Sequence, residues 1–120
     1  MNGFPVVQHG KAGLVGLTAD QPAVHDVEHS RAQLLFFYSP TSGRCRRTEA
    51  HLAQVLQRRH NHDTFELHGI PVDQRPDLAE RFRVDTVPSI LVVEDRRVRL
   101  RIVAPGGARE LERRLRPWLR

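Results

Sequence analysis

Cysteine is nearly absent from this chain: its 120 residues include one, Cys45. That excludes an intrachain disulfide, a four-cysteine zinc site and the disulfide-stapled scaffold of a small secreted protein. Lysine is just as scarce, with Lys11 alone among 19 basic residues; so strong a preference for arginine reads as coding bias as much as selection at any site. Aromatic residues make up 6% of the chain, too few for the stacking platforms that grip single-stranded nucleic acid. Long apolar runs are missing as well. The longest, Leu34 to Tyr38 and Ile90 to Val93, fall far short of the roughly 20 residues that span a bilayer. Met1 to Leu17 carries one lysine and is broken by Gly3, Pro5, Gly10 and Gly13, so it lacks the apolar core of a signal peptide. The expectation is a cytoplasmic protein with no membrane partner.

What remains is an ordinary globular composition. A chain of this length, 39% hydrophobic and 28% charged, makes one domain and hides roughly two thirds of its unfolded surface, enough for one modest core. The net charge of +5 is uneven: residues 1–43 sum to −1, and the remainder, with 17 arginines against 11 acids, to +6. A pI near 10.9 is one ingredient of a nucleic-acid binder. The arginines alternate with acids along most helices, however, and with so few aromatics no nucleic-acid partner is expected.

Residues 1–12 lack periodicity and read as a mobile tail, leaving 13–120 as the folded domain. Leu14 to Leu17 suits a short strand. Thr18 or Asp20 can then cap a helix that has Pro22 in its first turn and runs to about Ser30. Gln33 to Ser39 is a continuous apolar run of the kind found in a central strand buried on both faces. Ser42 can cap a helix from Gly43 to about His60, with Ala50, Leu52, Ala53, Val55 and Leu56 on its apolar side. Thr64 to Val72 reads as a strand, and Pro76 opens a short helix bearing Leu78, Ala79 and Phe82. Two further strands, Ser89 to Val93 and Arg97 to Val103, meet at a tight turn near Asp95-Arg96. In the second, Val98, Leu100 and Ile102 alternate with arginines, which predicts one buried and one solvated face. A last helix covers about Gly107 to Leu119. The order β α β α β α β β α makes this an α/β fold with a mixed sheet flanked by helices.

With these elements in order, the chain resembles the thioredoxins. The strand Leu34 to Ser39 leads into Pro40-Thr41-Ser42-Gly43-Arg44-Cys45, where the family has its Cys-x-x-Cys at a helix N-terminus. Val72-Asp73-Gln74-Arg75-Pro76, continuing to Asp85-Thr86-Val87-Pro88-Ser89, is similar to the family's segment between its third strand and its cis-proline loop. The resemblance extends over residues 14–119 and implies a thioredoxin-like fold. It also implies a defect. Ser42 stands at the position of the first, nucleophilic cysteine, and only the second, Cys45, remains. Dithiol exchange needs one thiol to attack and another to resolve the mixed disulfide, and a serine without an adjacent base does not replace a thiolate near neutral pH. Thr41 stands for the family's tryptophan, Gly43-Arg44 for Gly-Pro, and Phe36 for a buried aspartate that assists proton transfer. The motif therefore excludes an ordinary dithiol reductase.

Two functions fit this degenerate Ser-Gly-Arg-Cys site. In the first, Cys45 is a one-cysteine redox group that forms mixed disulfides with a protein or peptide thiol, or with glutathione, and Ser42 donates a hydrogen bond to the thiolate. Arg44, Arg46 and Arg47 and the helix N-terminus favour that charge. Ser-x-x-Cys is also similar to the peroxiredoxin branch, but the proline expected seven residues before the cysteine is Tyr38 here. In the second, Cys45 points inward as a small hydrophobe. The groove of Thr41, Gly43, Arg44, Val87 and Pro88 then binds a partner, with the Val87 main chain pairing to an extended peptide as the resemblance implies. No metal or other cofactor is implied. His25 and His29, and His60 and His62, are pairs without a third ligand nearby in sequence. The arginine pairs at 46–47, 58–59 and 113–114 read as solvated faces.

Overall fold

The computed structural model describes residues 31–58, 61 and 64–119. Seven elements follow one another: β1 (Ala32–Tyr38), α1 (Gly43–Gln57), β2 (Phe65–Pro71), α2 (Pro76–Arg81), β3 (Ser89–Glu94), β4 (Arg97–Val103) and α3 (Ala108–Leu115). They match the last seven elements expected from the sequence. The tail, the Leu14 to Leu17 strand, the helix before Ser30 and the four histidines at 25, 29, 60 and 62 lie outside the described residues.

The strands form one sheet in the order β2-β1-β3-β4. β1 runs parallel to β2 and antiparallel to β3, and β3 and β4 form a hairpin. The apolar run of β1 explains its inner position, because side chains on both faces need cover. Leu34 and Phe36 enter a core on one face with Leu52, Val55 and Leu56 of α1, Ile90 and Val92 of β3, and Leu111 and Leu115 of α3. Leu35 and Phe37 enter the opposite core with Ile70, Leu78, Phe82, Leu91 and Val93. Each such side chain, fully buried, contributes roughly 1.5–3 kcal/mol. Trp118 packs on the first core and Phe82 lies in the second, so both aromatics are structural.

Three details depart from the sequence expectation. In α1 the buried stripe is Cys45, Thr48, Leu52, Val55 and Leu56, whereas Ala50 is exposed and Ala53 only half-buried. In β4 the register shifts between Val92 and Val93, so that Val92 pairs with Leu100 but Val93 with Val98. Arg99 is the extra residue of this bulge, and it turns Val98 away from the face of Leu100 and Ile102. Val98 is consequently 41% exposed. Finally, α3 stops at Leu115 and continues as turns, with Trp118 N–H donating to the Leu115 carbonyl at 2.9 Å. Pro117 supplies the reason: it has no N–H to donate, and its ring crowds the preceding turn. Arg58, at the C-cap of α1, reaches Glu112 of α3 at 2.7 Å, an exposed pair worth under about 1 kcal/mol. Among the described residues no helix is long and apolar enough to cross a membrane.

Candidate functional site

The site begins where β1 leaves the sheet. Ser42 N–H donates to the Ser39 carbonyl at 3.1 Å, closing a tight turn through Pro40 and Thr41. Ser42 then caps α1: its backbone is extended (φ −94°, ψ 122°) and its Oγ accepts the Cys45 N–H at 3.1 Å. This is the N-cap geometry that serine favours, and it satisfies one of the helix's free donors. The Ser42 oxygen thus accepts from the helix backbone, which leaves its O–H to donate elsewhere. The Ser39 and Thr41 hydroxyls lie 3.3 Å apart.

Cys45, one turn into α1, is 2% exposed. Its sulfur accepts the Ser39 N–H at 3.4 Å, so it faces back into the turn that carries Ser42. Arg44, Arg46 and Arg47 are exposed around it, and no acid lies in the first turn of the helix. Phe36, 1% exposed, stacks on Tyr38 with ring centroids 5.4 Å apart; an aromatic ring thus occupies the position at which the resemblance would put an aspartate. Burial, reinforced by the Glu49 and Asp73 carboxylates, raises the Tyr38 hydroxyl above its ordinary value of 10.0.

The Val87-Pro88 peptide is cis. The sheet register sets it beside the motif: Ser89 pairs with Phe37, so Pro88 comes next to the end of β1 from which the turn departs. Pro88 is buried and Val87 half-buried. The Pro88 carbonyl accepts the Ala104 N–H at 2.8 Å, which ties the start of β3 to the loop after β4. That loop borders a half-open cavity of about 270 Å³, lined by Arg44, Arg47, Thr48 and His51 of α1 and by Ala104, Pro105 and Gly106.

The family model for thioredoxin matches residues 17–116. The chain belongs to the thioredoxin family. Solved structures agree on the fold. The N21Q mutant thioredoxin from Halobacterium salinarum NRC-1 is similar at a TM-score of 0.71 and 20% identity, over 97% of this chain and 90% of that one. Oxidised mitochondrial thioredoxin 3 from Saccharomyces cerevisiae gives 0.63 and 20%, over 78% and 84%. The germline-specific thioredoxin Deadhead from Drosophila melanogaster gives 0.58 and 22%, over 73% and 79%. No curated protein is significantly similar in sequence.

This thioredoxin-family chain therefore has its one sulfur at the start of α1. Thr41, Ser42, Gly43, Arg44 and Cys45 gather at the α1 N-terminus, and Val87 and Pro88 lie beside them through the sheet. The cavity wall is the part that sequence reasoning missed. Its helix side was signalled by polar residues at 44, 47, 48 and 51, one face of α1 at i, i+3, i+4 and i+7. Its loop side, residues 104–106, arrives by tertiary contact.

Proposed function

We propose that this thioredoxin-family protein is a protein-binding module without dithiol chemistry. An extended partner segment pairs with the Val87 main chain beside Thr41, Gly43 and Arg44, and Pro88 shapes the groove. Cys45 belongs to the core of the site. The observation that carries this reading is the 2% exposure of Cys45. Main-chain pairing of a peptide to an exposed backbone edge needs no sulfur. The test is partner capture by three forms of the protein. Cys45→Ala should retain the partner bound by the wild type, and Val87→Asp should lose it. Loss in Cys45→Ala with retention in Val87→Asp would reverse the assignment.

A one-cysteine redox role is the second reading, and one observation favours it: the Ser39 N–H donates to the Cys45 sulfur, an interaction that strengthens when the sulfur is a thiolate. In this role the thiolate attacks one sulfur of a partner disulfide or of oxidised glutathione. A mixed disulfide forms and the other sulfur leaves as thiolate. With no second thiol in the chain, that adduct persists until an external thiol removes it. A stable glutathione adduct on native protein, seen by mass spectrometry after exposure to oxidised glutathione, would support this reading over the first.

A further inference from the structure

The cavity between α1 and the loop after β4 combines three features. One wall carries two cations, Arg44 and Arg47, with Thr48 and His51 beside them. Among the described residues neither arginine has an ion pair with an acid. The guanidiniums of Arg46 and Arg47 also fold back over Gly43, where an added Cβ would lie 3.8 Å from Arg46 Nη2 and from Arg47 Nη1. Like charges held together with no ion-paired acid make a positive field at this end of α1.

The opposite wall is main chain with little side-chain bulk. Ala104 adopts φ 50°, a left-handed backbone that an alanine takes only at a cost. The Gly106 N–H donates to Glu110 Oε1 at 2.6 Å, which holds this one nearby carboxylate on the loop and not in an ion pair with Arg44 or Arg47. The cavity of about 270 Å³ has room for several waters, at about 30 Å³ each, or for one carboxylate-bearing side chain. Its loop is joined to the cis peptide by the Ala104–Pro88 hydrogen bond, so the cavity adjoins the Val87 edge.

We infer that this cavity is a specificity pocket for an acidic side chain, Glu or Asp, of a partner's extended segment. The inference rests on the binding reading above and names the class of segment. The carboxylate is held by charge-assisted hydrogen bonds from Arg44 and Arg47, with Thr48 and His51 as further donors, while the segment's main chain runs along Val87. A neutral isostere leaves the two guanidiniums uncompensated and is disfavoured.

The test is amide-resolved NMR titration of the whole protein with an acetylated, amidated hexapeptide, Ala-Glu-Ala-Val-Glu-Ala, and with the same peptide carrying glutamine at both glutamate positions. The expected result is saturable shifts at Arg44, Thr48, His51 and Gly106 with the acidic peptide only. Arg47→Ala should weaken binding about tenfold, and raising salt from 50 to 200 mM should weaken it further. Equal shifts with the glutamine peptide would overturn the inference. So would shifts at Thr41 and Val87 without shifts in the cavity, an outcome that leaves the binding reading standing. Absence of shifts at both places would remove both readings. Inorganic phosphate as a third titrant distinguishes a general anion site: if it binds the cavity as tightly as the acidic peptide, the assignment to a peptide fails.

Discussion

Placing a second thiol at position 42 with Ser42→Cys has an outcome that can be worked out in advance. The Cys45 sulfur lies against the Ser39 N–H at 3.4 Å, inside the turn that ends at residue 42, so the new thiol meets it across a loop of four residues. Closing so short a loop by a disulfide removes roughly 1.9 kcal/mol of unfolded-state entropy at 25 °C. The substitution also deletes the Ser42 oxygen that caps α1 at 3.1 Å, a loss of about 1 kcal/mol. The oxidised variant should therefore be about 1 kcal/mol more stable than the wild type, and the reduced variant about 1 kcal/mol less stable. At about 4 °C per kcal/mol for a domain of this size, their melting temperatures differ by about 8 °C. Circular-dichroism melting of the variant, oxidised with glutathione disulfide or reduced with dithiothreitol, reads this directly. Turnover of a small disulfide substrate coupled to dithiothreitol should appear in the variant and be absent from the wild type. If both thiols stay titratable in excess oxidised glutathione, or if oxidation lowers the melting temperature, then the Cys45 sulfur is not turned toward position 42 and the account of the site is wrong.

Three further perturbations probe the scaffold. α2 ends in a turn where the Arg83 N–H donates to the Glu80 carbonyl and the Val84 N–H to that of Ala79, with Arg83 at φ 57°; glycine is the residue this position favours. Arg83→Gly should raise stability by about 1 kcal/mol in urea titration, and a loss would show that the arginine side chain outweighs the backbone strain. His68 is lowered from its ordinary value of 6.5, chiefly by burial, against the opposing pull of the Glu66 carboxylate 3.2 Å away. Below pH 6.5 the unfolded chain therefore takes up a proton that the folded chain resists. The stability is fully present above that pH and is lost as pH falls through the window beneath it, with a slope of up to about 1.4 kcal/mol per pH unit. Subtracting the profile of His68→Gln from that of the wild type should isolate this slope, and coincident profiles would refute it. Phe36→Ala, at a position 1% exposed and stacked on Tyr38, should cost about 3–5 kcal/mol. A cost below about 1 kcal/mol would mean that the core on that face is not packed as described.

Local patterns made much of this fold legible. The five apolar residues of Leu34 to Tyr38 can be covered only in the middle of a sheet, and β1 lies there. Ser42 before an amphipathic stretch and Pro76 at a helix start are local devices, and both act where the chain's own chemistry predicts. The bulge at Arg99 was not legible, because alternation along β4 looks regular until the register with β3 moves Val98 to the other face. The early stop of α3 is a local effect of Pro117, which lies inside the helix expected from Gly107 to Leu119. At the site, the presence of a single thiol could be read from the sequence alone, whereas the burial of Cys45 depends on how α1 packs against the sheet. The cavity needed the fold as well: four polar residues on one helix face have no meaning until the loop at 104–106 arrives opposite them.

The central claim is that the one sulfur is enclosed, and its accessibility can be measured. Iodoacetamide labelling of Cys45 near neutral pH, followed by mass spectrometry in the native and in the urea-unfolded protein, compares the two states on the same thiol. Enclosure predicts native labelling at least about 100-fold slower than unfolded labelling, which corresponds to a local opening of roughly 3 kcal/mol. Native labelling as fast as that of the unfolded chain would contradict the account and return Cys45 to the surface as a reactive thiol.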